Sequence, residues 1–85
     1  MKEITIIGIH ISDRVKDATK VQDILTRYGC SIKTRLGMHD ISEEYCSSCG
    51  LIILELIGDP DERQRLEKEL LTVENLEVQK MHFNC

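Results

Sequence analysis

The sequence predicts a small α+β domain whose secondary structure follows the order βαββαβ. Residues 4–11 and 51–57 are apolar at both alternating positions, which is typical of strands covered on both faces. Two further segments, each preceded by turn and capping residues, repeat their apolar side chains at helical spacing. Residues 32–38 and 76–83 have the mixed pattern of strands at the edges of a sheet.

The first strand, residues 4–11, leads directly into the first helix. Ser12 and Asp13 are capping residues, and Gly29 supplies a stop. Between them the apolar face of the helix comprises Val15, Ala18, Val21, Leu25 and Tyr28. The opposite face, which we interpret as solvated surface, comprises Lys16, Asp17, Lys20, Gln22, Asp23 and Arg27. The pattern predicts a helix of about four turns.

The second half of the chain repeats this plan after an edge strand and a polar loop over residues 39–49. The edge strand is expected to bury one face, formed by Ile32, Thr34, Leu36 and Met38. In the central strand, residues 51–57, Glu55 is expected to lie on the outer face and to pair with Lys33 or Arg35. Pro60 begins a helix whose core-facing residues are predicted to be Leu66, Leu70 and Leu71, and residues 76–83 form the last strand.

This order of elements predicts a split βαβ topology. The expected sheet is four-stranded and antiparallel-dominated, in the order 4-1-3-2, with both helices on one face. We expect strands one and three to run in the same direction and strands two and four to run against them. The loop 39–49 and the chain terminus would then share one end of the sheet, and residues 10–14 would lie at the other end.

Length and composition restrict the classes of function. Eighty-five residues predict one domain, residues 1–85, and burial of further apolar surface in a homo-oligomer, a dimer or a tetramer. The net charge of −4, with one Phe, two Tyr and no Trp, argues against direct binding of nucleic acid. No apolar run has the form of a signal peptide or a membrane span, so we expect a cytoplasmic protein.

Two groups of residues are candidate sites. Cys46 and Cys49 have chelate spacing and share a loop with His39, so zinc, iron or nickel is a possible ligand, with Cys85 as a fourth donor. His82 or a neighbouring subunit is an alternative fourth donor, and the alternative interpretation is free thiols on a loop.

The second group, which stands where a helix N-terminus offers free N–H groups to an anion, is His10, Ser12, Asp13 and Arg14. A capped turn is the alternative there.

Catalytic patterns are missing from the sequence. It contains no Ser, His and acid arrangement, no phosphate-binding glycine loop and no close carboxylate pair in a predicted pocket. We therefore expect a protein that is not an enzyme. Three functions remain: a module that senses a small molecule, a metal sensor or carrier, and an adaptor whose apolar outer sheet face binds a regulatory protein partner.

The chain resembles the small ACT-like regulators associated with the iron-only hydrogenase system. The resemblance lies in residues 4–11, in IKTRLGMH over 32–39 and in GLIILEL over 50–56. It implies a ferredoxin-like fold, homo-oligomers and a regulatory role in the hydrogenase system.

A looser resemblance is to the metal-sensing domain of nickel-responsive repressors. That domain implies histidine and cysteine ligands around the second and third strands at a subunit interface, where this chain has His39 and Cys46 or Cys49. The chain departs from the pattern at Gly37, where a further histidine would be expected, and it lacks the DNA-binding segment.

Overall fold

A computed structural model of the chain describes residues 3–38 and 50–85. The elements are β1 (Glu3–Ile11), α1 (Arg14–Arg27), a short 3-10 turn (Gly29–Ser31), β2 (Ile32–Met38), β3 (Gly50–Leu56), α2 (Pro60–Leu70) and β4 (Leu76–Asn84). This is the predicted order βαββαβ. Neither described helix is long and apolar enough to cross a membrane.

The four strands form one sheet in the order β2-β3-β1-β4, which is the predicted order 4-1-3-2 seen from the other edge. The two doubly apolar segments, β1 and β3, are therefore the inner neighbours, as predicted. The predicted α+β, ferredoxin-like fold is confirmed by this topology.

The predicted direction of the strands is wrong. β1 pairs antiparallel with β3, and Ile11 lies opposite Gly50. β1 also pairs antiparallel with β4, so that Glu3 lies opposite Asn84. The helical crossover makes β1 and β2 run in the same direction, and β3 inserts between them against both. One rim of the sheet therefore carries Ile11 and Gly50, and the opposite rim carries Glu3 and Asn84.

The core lies between the sheet and the two helices. Alternate residues of the inner strands are buried there: Ile7, Ile9, Ile11, Ile52, Leu54 and Leu56. The helices cover them with Val21, Ile24, Leu25, Leu66 and Leu70. Leu71, predicted to face the core, is 68% exposed because it lies beyond the last residue of α2, as the C-cap. The strand alternation turns the other set of residues away from the helices.

Asp17 corrects the predicted solvated face of α1. Its side chain is buried, with 1% of the residue exposed. Among the described residues, no hydrogen-bond partner reaches either of its carboxylate oxygens. Asp17 precedes Val21 by four positions and Leu25 by eight, so it lies on the same stripe of the helix as these core residues. The buried stripe of α1 is therefore wider than the sequence pattern predicts.

β2 does not keep the single buried face predicted for it. A register shift between Ile32 and Thr34 marks a bulge, which reverses the faces of the residues that follow. Ile32 therefore packs against the core, whereas Leu36 lies opposite Ile53 on the uncovered face and is exposed. Arg35 reaches the helix side, where it donates to Gln22.

A polar cluster joins the end of α1 to α2. Arg27 Nη1 donates to Glu69 Oε1 at 2.6 Å. A hydrogen bond from the Tyr28 side chain, with the nearby Arg27 guanidinium, lowers the pKa of the Glu69 carboxyl, and the same hydrogen bond to Glu69 raises the pKa of Tyr28. A carboxyl whose pKa is lowered by folding stabilises the fold above its unfolded pKa and loses this contribution as pH falls through its folded pKa.

We expect Glu69→Gln to lower the free energy of unfolding at neutral pH and to have little effect in acid, where wild-type Glu69 is itself protonated. Urea unfolding of both chains from neutral pH to a pH well below the ordinary glutamate pKa tests this, because folding lowers the pKa of Glu69. Glu74→Gln, at an exposed position beyond α2, is the control. A Glu69→Gln effect that is the same at every pH would contradict this interpretation.

Candidate functional site

The face of the sheet turned away from the helices, here called the outer sheet face, is largely apolar and uncovered in the described chain. Its most exposed apolar side chains are Leu36 (53%), Leu51 (38%), Met81 (54%) and Phe83 (51%). The register joins them through the half-buried residues Ile4, Ile6 and Ile53, because Phe83 lies opposite Ile4, Met81 opposite Ile6 and Leu36 opposite Ile53. The result is an apolar surface that crosses all four strands.

A hollow of about 320 Å³ lies in the middle of this surface. Gly8 lies in its floor, on β1, between Ile53 of β3 and Gln79 of β4. A Cβ at Gly8 would lie 3.7 Å from Ile53 Cδ1, an ordinary contact distance, so glycine is not required by close packing. The missing side chain leaves space above the strand. The volume is at the lower end of the range for small-molecule pockets.

The hollow has one polar end. His10 lies opposite Glu77 across the pairing of β1 with β4, and both line the hollow. Gln79 Nε2 donates to Glu77 Oε2 at 2.9 Å. The remaining walls include the apolar side chains of Ile6, Leu51, Ile53 and Met81. This arrangement of mostly apolar walls with a few polar groups suits a small, partly apolar ligand that carries hydrogen-bonding groups at one end.

The structure separates the residues of the predicted anion site. His10 alternates with Ile9 and Ile11, which are buried against the helices, so its side chain belongs to the outer sheet face. Asp13 caps α1 by accepting the Lys16 N–H at 3.1 Å. Ser12 N–H donates to the Asn75 carbonyl at 3.2 Å, beyond the strand end.

Those contacts match the alternative interpretation of this segment as a capped turn. The side chain of Arg14 lies outside the described residues. Of the four predicted residues, only His10 is described as lining the hollow.

Three residues of the predicted metal site, His39, Cys46 and Cys49, lie outside the described residues. Cys85 is a free and exposed cysteine after the end of β4. The expectation that Cys85 shares a rim with the loop 39–49 is wrong, because β3 runs against β1.

Gly50, which follows that loop, pairs at the opposite end of β1 from Glu3, across about 27 Å of strand. Within residues 3–38 and 50–85, no group of three His, Cys, Asp or Glu side chains lies close enough together to hold a metal ion.

Sequence reasoning missed Gly8 and the apolar residues around it as a site. A signal was present, because Gly8 interrupts a run of β-branched residues at the parity that faces away from the helices. Leu51 and Met81 belong to segments that the sequence predicts only as strands. Leu51 pairs with His10 and Met81 pairs with Ile6, on either side of Gly8 along β1, and this becomes visible once the register of three strands is known.

Comparison with known proteins shows the fold. No family model matches the chain, and no curated protein matches it. Among solved structures, an uncharacterized protein of Thermotoga maritima is 24% identical, with a TM-score of 0.79, over 98% of this chain and 100% of that one. CPII, a nitrogen regulatory PII-like protein of Thiomonas intermedia K12 solved with ADP, AMP and bicarbonate, is 11% identical, with a TM-score of 0.60, over 99% and 96%.

A third similar structure is LarC2, the C-terminal domain of a cyclometallase involved in the synthesis of the NPN cofactor of lactate racemase. It is 10% identical, with a TM-score of 0.55, over 98% of this chain and 57% of that one. These likenesses support an ACT-like, ferredoxin-like fold, which this chain shares with a PII-like regulator.

Proposed function

We propose that this chain is a small regulatory module of ACT-like type, which self-associates through the outer sheet face and senses a small ligand in the hollow over Gly8. The observation that carries the proposal is the apolar outer sheet face with that hollow at its centre. Catalysis is not part of the proposal, since the described site has no nucleophile beside a base.

Self-association is supported by the small size of the domain and by the partners of the charged residue Glu55 on this face. A domain of 85 residues has little apolar surface to bury by itself, and stacking two sheets about 10 Å apart buries more. Glu55 would introduce a charge into the interface, but Lys33 Nζ lies 3.8 Å from its carboxylate, and Thr34 Oγ1 donates to it at 3.3 Å. A second copy, in a dimer or a tetramer, is therefore a suitable partner for the face.

The position of the hollow, in the face that a second copy would cover, supports a role in sensing a ligand. A ligand covered by two copies binds the assembled state better than the free chain, so it shifts the equilibrium towards assembly. The polar end formed by His10, Glu77 and Gln79 would orient the ligand. The bound molecules of CPII, which are ADP, AMP and bicarbonate, provide the first compounds to test, with free amino acids as a second set.

Gly8→Val should abolish the ligand response, because its side chain occupies the floor of the hollow. The measurement is thermal unfolding of the wild type and the variant with each compound. A ligand at 100 times its dissociation constant stabilises a fold by about 2.7 kcal/mol. Gly37→Val is the matched control, since a Cβ at Gly37 meets no atom within 4 Å and Gly37 does not line the hollow. A Gly8→Val chain that keeps the wild-type response would contradict the proposed site.

We also propose, from the resemblance stated above, that the module acts in the cytoplasm in regulation of the iron-only hydrogenase system, directly or through a protein partner. Co-purification of the chain with components of that system tests this link. A heterologous complex that contains neither metabolite nor metal would instead favour the adaptor function.

Metal binding by His39, Cys46 and Cys49 stays a prediction from the sequence. Its support is the spacing of the two cysteines. Elemental analysis of anaerobically purified protein, beside the Cys46→Ser/Cys49→Ser variant, tests it. Stoichiometric zinc, iron or nickel that the variant loses is the expected result, and equal metal content in both chains would contradict it.

A further inference from the structure

A second concave site lies on the helix side of the sheet, where α2 meets β1 and β4. It is a groove of about 160 Å³. The polar side chains that matter for its chemistry are Glu3, Thr5, Arg63, Glu67, Lys80 and His82. The groove and the hollow over Gly8 open on opposite faces of the sheet and share only Lys80 among their lining residues, so a ligand here would occupy a separate site.

Arg63 is the unusual residue of this groove. Its side chain is only 14% exposed, although Arg63 is not among the core-facing residues that the sequence predicts for this helix. Among the described residues, no hydrogen-bond acceptor reaches its Nε, which is buried. The Glu3 carboxylate is 3.7 Å from Arg63 Nη2, longer than a hydrogen bond, and the Glu3 side chain is half exposed. A buried guanidinium nitrogen without an acceptor is costly, so Arg63 Nε is left with an unused hydrogen-bond donor among the described residues.

Further polar groups face Arg63 from the strands. Thr5 is buried, and its hydroxyl lies 3.2 Å from His82 Nδ1. Lys80 Nζ lies 3.2 Å from Glu67 Oε1, so this cation already has a partner. The helix thus contributes a guanidinium to one side of the groove, and the strands contribute a hydroxyl and an imidazole to the other.

We propose that this groove binds a small oxyanion, such as phosphate or a carboxylate. Its oxygens would accept hydrogen bonds from the Arg63 guanidinium and from Thr5 or His82, and Glu3 would swing out towards solvent. Arginine suits such a ligand because its donors match two oxygens at once. The volume equals about five waters at ~30 Å³ each, which fits a single phosphate or acetate.

The test is calorimetric titration of the full chain with inorganic phosphate, and separately with sodium acetate, at constant ionic strength set with chloride. Wild type should bind at least one of the two anions saturably with one site per chain. Arg63→Gln should weaken binding at least about tenfold, which is the loss expected for hydrogen bonds to a charged group. Arg65→Gln, on the same helix but exposed and paired with Glu62, should bind as wild type does.

Glu3→Gln distinguishes a binding site from a merely structural ion pair. If Glu3 competes with the anion for Arg63, removing its charge should tighten binding several-fold. This variant changes an exposed side chain, so it remains informative even where Arg63→Gln fails to fold. Absence of saturable binding by wild type, equal weakening by Arg65→Gln, or unchanged or weaker binding by Glu3→Gln would each overturn the proposal.

Discussion

Replacing Met81 and Phe83 together by aspartate is expected to convert the proposed assembly into a monomer of 9.8 kDa. Both side chains are about half exposed on the outer sheet face, so the folded monomer tolerates a polar replacement there. In the assembly, the same carboxylates would be buried against apolar side chains without partners, at a cost of several kcal/mol. The dissociation constant should therefore rise at least about a hundredfold.

Light scattering coupled to size-exclusion chromatography, over a range of protein concentrations, measures this change. Leu71→Asp is the control, because it introduces an aspartate at an exposed leucine beyond the end of α2 and away from the outer sheet face. The control should keep the wild-type mass. If the double variant folds and also keeps the wild-type mass, the outer sheet face is not the surface of self-association.

Asp17→Leu is expected to raise the free energy of unfolding by about 1–3 kcal/mol, the cost of a buried polar group without a hydrogen bond. Leucine has the same branching at the γ position and replaces with methyl groups the two buried oxygens that no described residue reaches with a hydrogen bond. The favourable effect of an acid in the first turn of α1, about 0.3–1 kcal/mol, is lost at the same time and reduces the gain.

Urea unfolding of the wild type and of Asp17→Leu measures the effect. Asp23→Leu, at an exposed position of the same helix, should change stability by less than about 0.5 kcal/mol. Destabilisation by Asp17→Leu would show that the carboxylate makes an interaction that outweighs its burial.

The elements of the fold were predictable because they depend on local patterns. Residues 4–11 and 51–57 became the inner strands, Asp13 caps α1, and Pro60 begins α2, all as the sequence indicates. The strand directions and the bulge in β2 were not predictable in this way. They depend on how distant segments pair, and a one-residue shift such as that between Ile32 and Thr34 exchanges the two faces of a strand.

The candidate sites were less predictable than the fold. The sequence indicates His10, but it groups His10 with Ser12, Asp13 and Arg14, which lie beyond the end of β1, where Asp13 caps α1. Gly8 lines the hollow through the absence of a side chain, and its importance depends on the residues of β3 and β4 opposite it. Arg63 follows the polar pattern of an exposed helix face, and only the packing of α2 on the sheet reveals that it is buried.

The most direct test of the central claim is an isotope-filtered NOE experiment on a mixture of labelled and unlabelled protein, which detects contacts between copies only. The proposed assembly predicts intermolecular NOEs that involve the methyl and ring protons of Leu36, Leu51, Met81 and Phe83. Intermolecular contacts confined to α1 and α2, or none at concentrations where the wild type self-associates, would contradict it.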